Sequence, residues 1–92
     1  MRELLDDEAI EAALAGTGWE RHGDEITRTV RREGFAGALA YVNAVGGLAE
    51  RHDHHPDITL KWDTVTLVLS THSAGGLTQM DLDLAAAIDA LD

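Results

Sequence analysis

The only proline of the chain, Pro56, falls where the spacing of apolar residues changes from steps of three and four to steps of two. Before it, Phe35, Leu39, Val42, Val45 and Ala49 recur at helical steps, which predicts an apolar stripe along one face of a helix. After it, Ile58, Leu60 and Trp62 alternate with Thr59 and Lys61, and Val65, Leu67 and Leu69 alternate with Thr66, Val68 and Ser70. That is the pattern of two strands with one buried face. Proline disfavours helical geometry at the residue before it, so the helix must end by His55. A two-residue turn at Asp63-Thr64 predicts the cross-strand pairs Trp62 with Val65, Leu60 with Leu67 and Ile58 with Leu69, all on one face. Trp62 is thereby expected on the side that helices cover.

The remaining segments fit around this pair. From about Asp6 to Ala15 the set Ile10, Ala13 and Leu14 has helical spacing, with acids near the start and Gly16 and Gly18 as stops. Trp19 to Arg21 and Glu25 to Arg32 flank His22-Gly23-Asp24, good turn chemistry for a hairpin anchored by Ile26 and Val30. Gly46-Gly47 weakens the central helix by about 1 kcal/mol per glycine, which predicts a bend or a close approach by another backbone. Gly75-Gly76 turns the chain into a last helix with a Thr78/Asp81 capping box and the stripe Leu84, Ile88 and Leu91. The order αββαββα predicts an α+β, two-layer domain spanning residues 1–92: a four-stranded antiparallel sheet with helices packed on one face. Open edges on so small a sheet invite pairing with another copy.

Composition narrows function. The 92 residues carry 7 Lys plus Arg against 17 Asp plus Glu, a net charge of −10 that opposes contact with phosphate backbones, so no nucleic-acid partner is expected. There is no cysteine, hence no disulfide and no thiolate chemistry, which suits a cytoplasmic setting. No apolar run approaches the roughly 18 residues of a membrane span, and the acidic start lacks the apolar core of a signal peptide. With 45% hydrophobic residues the chain has enough material for one core.

Three histidines fall within four positions, His52, His54 and His55, with Glu50 just before them. The predicted hairpin brings His72 back to the same end, on the face of Thr66, Val68 and Ser70. Imidazole gives or takes a proton near neutrality, and a neighbouring carboxylate can orient it. The plainer reading is a polar loop after a helix, where histidine complements the C-terminal dipole. A metal site built from His52, His54, His55 and His72 is the third possibility. Adjacent residues of an extended segment point to opposite faces, so at most two or three could converge, which weighs against a metal site.

Glu50-Arg51-His52-Asp53-His54-His55-Pro56, then five residues to Trp62, nine to His72 and eight to Asp81, resembles the signature of the pterin-4a-carbinolamine dehydratases. Thr71-His72-Ser73-Ala74-Gly75-Gly76-Leu77-Thr78 looks like the family's bacterial branch, and the resemblance covers about Trp19 to Leu91. It implies dehydration of 4a-hydroxytetrahydropterin to the quinonoid dihydropterin, in tetrahydrobiopterin recycling, by a homodimer or homotetramer that needs no metal or bound cofactor and has a small pterin as its partner. By carry-over, His54 and His72 supply acid catalysis on different faces and His55 holds the pterin. Glu50 orients His54, Asp81 supports the far side, and Pro56, Thr71 and Ser73 complete the substrate contacts. The same resemblance implies a second role, a non-catalytic dimerisation or assembly factor on the same fold. The chain departs from the family in lacking several aromatics, with Val30, Arg32 and Gly34 in that stretch.

Overall fold

The computed structural model describes residues 3–92. Its elements run α1 (Asp7–Leu14), β1 (Glu20–His22), β2 (Glu25–Arg31), α2 (Gly34–His52), β3 (Asp57–Lys61), β4 (Thr64–Leu69), a 3-10 turn (His72–Ala74) and α3 (Gln79–Asp89). This is the expected αββαββα order. The four strands form one antiparallel sheet in the order β1-β2-β4-β3, so the last hairpin returns its second strand to the centre and leaves β1 and β3 as edges.

Side-chain alternation builds the core. Ile26 and Val30 of β2, with Val65, Leu67 and Leu69 of β4, are buried on one face. Ile10 of α1, Ala38, Tyr41, Val45 and Ala49 of α2, and Leu84, Ala85 and Ile88 of α3 are buried with them. No helix among the described residues is long and apolar enough to cross a membrane.

Several expectations are corrected. The β3–β4 turn lies at Trp62-Asp63 rather than Asp63-Thr64, so Leu60 faces Val65 and Ile58 faces Leu67. A shift by two preserves which face each side chain occupies, since side chains alternate with period two. Trp62 itself, however, becomes a turn residue with a left-handed φ of 49° and is 67% exposed. Asp63 closes the turn, its carboxylate accepting from Arg31 Nε at 2.7 Å and from the Thr64 hydroxyl at 2.9 Å. On α2 the buried stripe is Ala38, Tyr41, Val45 and Ala49, while Phe35 and Leu39 are exposed. The helix is apolar on two adjoining faces, and spacing alone does not choose between them. Gly46 and Gly47 lie inside an unbroken helix, and a Cβ at either would meet nothing within 4 Å, so no close approach accounts for them. Leu91 lies beyond the end of α3 and is exposed.

Candidate active site

The end of α2 decides where the histidines go. Asp53 takes the left-handed conformation, φ 48°, its N–H bonded to Glu50 O at 3.3 Å, and the His54 N–H reaches back to Ala49 O at 3.1 Å. These two bonds make a Schellman motif, which satisfies terminal carbonyls and folds the next residue back onto the helix. Aspartate tolerates the left-handed region better than most residues. His54 is therefore turned inward, and His55, one residue on, points out.

His54 is buried, with its side chain 10% exposed, and its Nε2 lies 2.6 Å from Asp81 Oδ1. Asp81 is fully buried at the first turn of α3. Its other oxygen, Oδ2, accepts from the Thr71 hydroxyl at 2.8 Å and from the Thr78 N–H at 2.9 Å. The Thr71 proton is thus committed to Asp81. In the 2.8 Å contact between the two threonine hydroxyls, Thr78 must therefore be the donor. Thr78 in turn accepts from Met80 N at 3.3 Å, so the capping box of α3 and the seat of His54 are one network.

His55 is exposed, and its Nε2 lies 2.5 Å from Glu50 Oε2, also exposed. Sequence reading assigned Glu50 to His54; the structure pairs Glu50 with His55 and gives His54 to Asp81. The reason is the Schellman turn, which leaves Glu50 on the outer side of the helix end with His55. Both rings thus use Nε2 on a carboxylate. In the neutral imidazole the carboxylate holds the proton on Nε2 and leaves the Nδ1 lone pair free, whereas the imidazolium presents an Nδ1–H donor. No described residue bonds Nδ1 of either ring.

His72 and Ser73 are exposed on the 3-10 turn directly after Thr71, and Pro56 is half-buried between His55 and β3. The strand alternation expected to carry His72 ends at Leu69, and the 3-10 turn aims it instead. The pairing of Asp57 with Val68 brings the segment before β3 and the segment after β4 to the same end of the hairpin. Thr71 and Asp81, expected against a substrate, are 3% and 0% exposed and stand behind His54. Thr78 was expected only as a helix cap; its hydroxyl contact with Thr71 has no signature in spacing. Three surface clefts of about 240 to 280 Å³ include none of His54, His55 and His72, although one touches Thr78. No group of three or more His, Asp or Glu among the described residues is arranged to hold a metal.

Residues 3–91 match the sequence profile of the family described as pterin 4 alpha carbinolamine dehydratase. A relative from Nocardia farcinica, provisionally named a pterin-4-alpha-carbinolamine dehydratase, is 58% identical over 97% of this chain and 95% of its own. One from Roseiflexus castenholzii with the same provisional name is 53% identical over 97% of both chains. The crystal structure of a transcriptional coactivator/pterin dehydratase from Brucella melitensis superposes with a TM-score of 0.85 at 31% identity, covering 97% of both chains. A pterin dehydratase-like protein described as a RuBisCO assembly factor of the alpha-carboxysome shares the fold, with a TM-score of 0.69, 23% identity, and coverage of 83% of this chain and 90% of its own.

Proposed function

The chain belongs to the pterin 4 alpha carbinolamine dehydratase family, and on that premise we propose that it dehydrates a 4a-hydroxytetrahydropterin to the quinonoid dihydropterin. The reaction breaks the C4a–O bond, moves a proton onto the departing hydroxyl to release water, and removes the N5 proton; nothing is oxidised or reduced. Its requirement is therefore a donor and an acceptor of protons beside a flat heterocycle. The observation that carries the reading is the pair of adjacent imidazoles, each held through Nε2 by its own carboxylate, with no described residue bonding Nδ1. Each Nδ1 can hold a proton as imidazolium or a lone pair as imidazole, so one atom serves as acid or base.

In this reading His54 and His72 transfer protons, and His55, steadied by Glu50, holds the pterin. Asp81, Thr71 and Thr78 are positioning residues that act through His54, while Pro56 and Ser73 border the substrate. The protein works as a cytoplasmic homodimer or homotetramer, for which the open edges β1 and β3 offer pairing surfaces. The alternative, a non-catalytic dimerisation or assembly factor, draws support from the fold shared with a RuBisCO assembly factor.

The test is to generate the 4a-carbinolamine and follow its decay with and without the protein. Decay faster than the spontaneous rate, reduced by about tenfold or more in His54→Ala and in His72→Ala, is expected. A rate equal to the spontaneous one favours the non-catalytic alternative; acceleration unchanged in both variants removes the assigned roles.

A further inference from the structure

At the end of α3 opposite to Asp81, two arginines meet on one carboxylate. Arg28 Nη2 donates to Asp92 Oδ2, and Arg32 Nη2 donates to Asp92 Oδ1. From the other side Arg28 Nη1 donates to Asp89 Oδ1 at 2.7 Å, and that oxygen also accepts the Trp19 indole N–H at 2.8 Å. The Arg32 guanidinium lies 4.3 Å from the centroid of the Tyr41 ring. Gly18 passes so near that a Cβ there would lie 3.0 Å from Arg28 Nε. Arg28 is thus a cation in a fitted seat, its side chain only 15% exposed.

Tyr41 has a group left over. The residue is 6% exposed, and its hydroxyl is buried without a partner among the described residues. A buried hydroxyl left without a partner is costly, so such groups call for an occupant. The contact of the Arg32 guanidinium with its ring places Tyr41 in the same cluster; its pKa is raised, chiefly by burial. Asp92 is the least secured member. It lies outside α3, its side chain is 35% exposed, and among the described residues its one hydrogen bond besides those to the guanidiniums is the 3.2 Å bond from its N–H to Asp89 O.

Counting donors identifies the ligand class. Two guanidiniums and one phenol offer three donor groups, and the two oxygens of Asp92 meet only the guanidiniums. A tetrahedral oxyanion has oxygens for all three, and guanidinium forks match phosphate geometry well. We propose that Arg28, Arg32 and Tyr41 form a binding site for a phosphate group, free or as a phosphomonoester, in which the Asp92 carboxylate is the resident stand-in. Withdrawing Asp92 leaves Arg28 and Arg32 against Asp89 alone, a local positive charge on a chain whose net charge is −10. Phosphate and Asp92 therefore compete for one seat.

Calorimetric titration of the full chain with inorganic phosphate, at about 0.1 M sodium chloride where the Debye length is about 10 Å, tests this. Asp92→Ala is expected to bind one phosphate about tenfold or more tightly than the unsubstituted protein. Adding Arg32→Gln or Tyr41→Phe to Asp92→Ala should each weaken binding about tenfold, the scale of one hydrogen bond to a charged group. Tyr41→Phe deletes a hydroxyl that has no partner among the described residues, so its melting temperature should not fall, which separates loss of binding from loss of fold. Tighter binding of phenyl phosphate than of phosphate points to a phosphomonoester, and equal binding to the free ion. Absence of saturable binding in Asp92→Ala, or equal affinity with and without the Tyr41 hydroxyl, overturns the proposal.

Discussion

Asp81 divides its two oxygens between two tasks: Oδ2 closes the cap of α3 and takes the Thr71 hydroxyl, and Oδ1 holds His54. The capping box was legible from four residues of sequence, as was the likeness of Asp81 to a family site residue. That both hold at once was not legible, because 27 positions separate His54 from Asp81 and no local spacing rule links them. Glu50 shows the opposite case: the family resemblance gave it to His54, and the turn at the end of α2 hands it to His55. The two carboxylates differ sharply in burial, and that difference decides what each substitution does. Asp81→Asn replaces one acceptor oxygen with an amide N–H₂ facing either Thr71 or His54, at a fully buried position. Urea denaturation should show a loss of about 1 to 3 kcal/mol. If the amide faces His54, it also favours the tautomer with the proton on Nδ1, which nitrogen NMR of the ring reads directly, and dehydration should slow by about a hundredfold. Glu50→Gln touches an exposed pair, so its stability change should stay within about 0.5 kcal/mol. Equal losses in the two variants would mean that burial is not what distinguishes the pairs.

Helix α2 was legible as an element and partly as a surface. Its period announced a helix, Pro56 announced its end, and Val45 and Ala49 are buried as expected, but the choice of Ala38 and Tyr41 over Phe35 and Leu39 in its first half rests on tertiary packing that spacing does not contain. The β3–β4 hairpin repeats the lesson: alternation assigned the faces of Val65, Leu67 and Leu69 correctly, yet the turn moved by one position because Asp63 is held by Arg31 and Thr64. The glycine pair of α2 yields an element-scale prediction. Gly47 is exposed, and a Cβ there would meet nothing within 4 Å. Gly47→Ala should therefore stabilise the isolated chain by about 1 kcal/mol. In a domain of this size that is a rise in melting temperature of about 4 to 8 °C, measurable by circular dichroism. A fall instead would show that this face of α2 packs against a neighbour for which glycine leaves room.

At the scale of the whole molecule, acidity acts in two ways that pH and salt separate. The net charge of −10 at pH 7 shrinks towards zero near the isoelectric point of about 4.6, so self-repulsion relaxes and stability should rise as pH falls through this range. Below it, specific carboxylates take over. The hydrogen bond from Arg31 holds the Asp63 carboxyl below the usual carboxylate range, and the hydrogen bond from Arg28, reinforced by Arg32, does the same for Asp92. A folded pKa depressed below the unfolded value of about 3.9 gives stability that is complete above that value and lost as pH falls through the folded pKa. The acid limb should therefore be local, and the Asp63→Asn, Asp92→Asn double variant should flatten it. The neutral limb should be global. The radius of gyration is 12.9 Å, smaller than the Debye length of about 30 Å at 0.01 M salt and far larger than the 3 Å at 1 M. Urea midpoints measured from pH 2 to 8 at those two salt concentrations should show a rise from pH 7 to 5 only at low salt, with the acid loss surviving partly at both because paired groups in contact are screened less. A neutral limb that ignored salt would assign the rise to individual residues rather than to the summed charge of the chain.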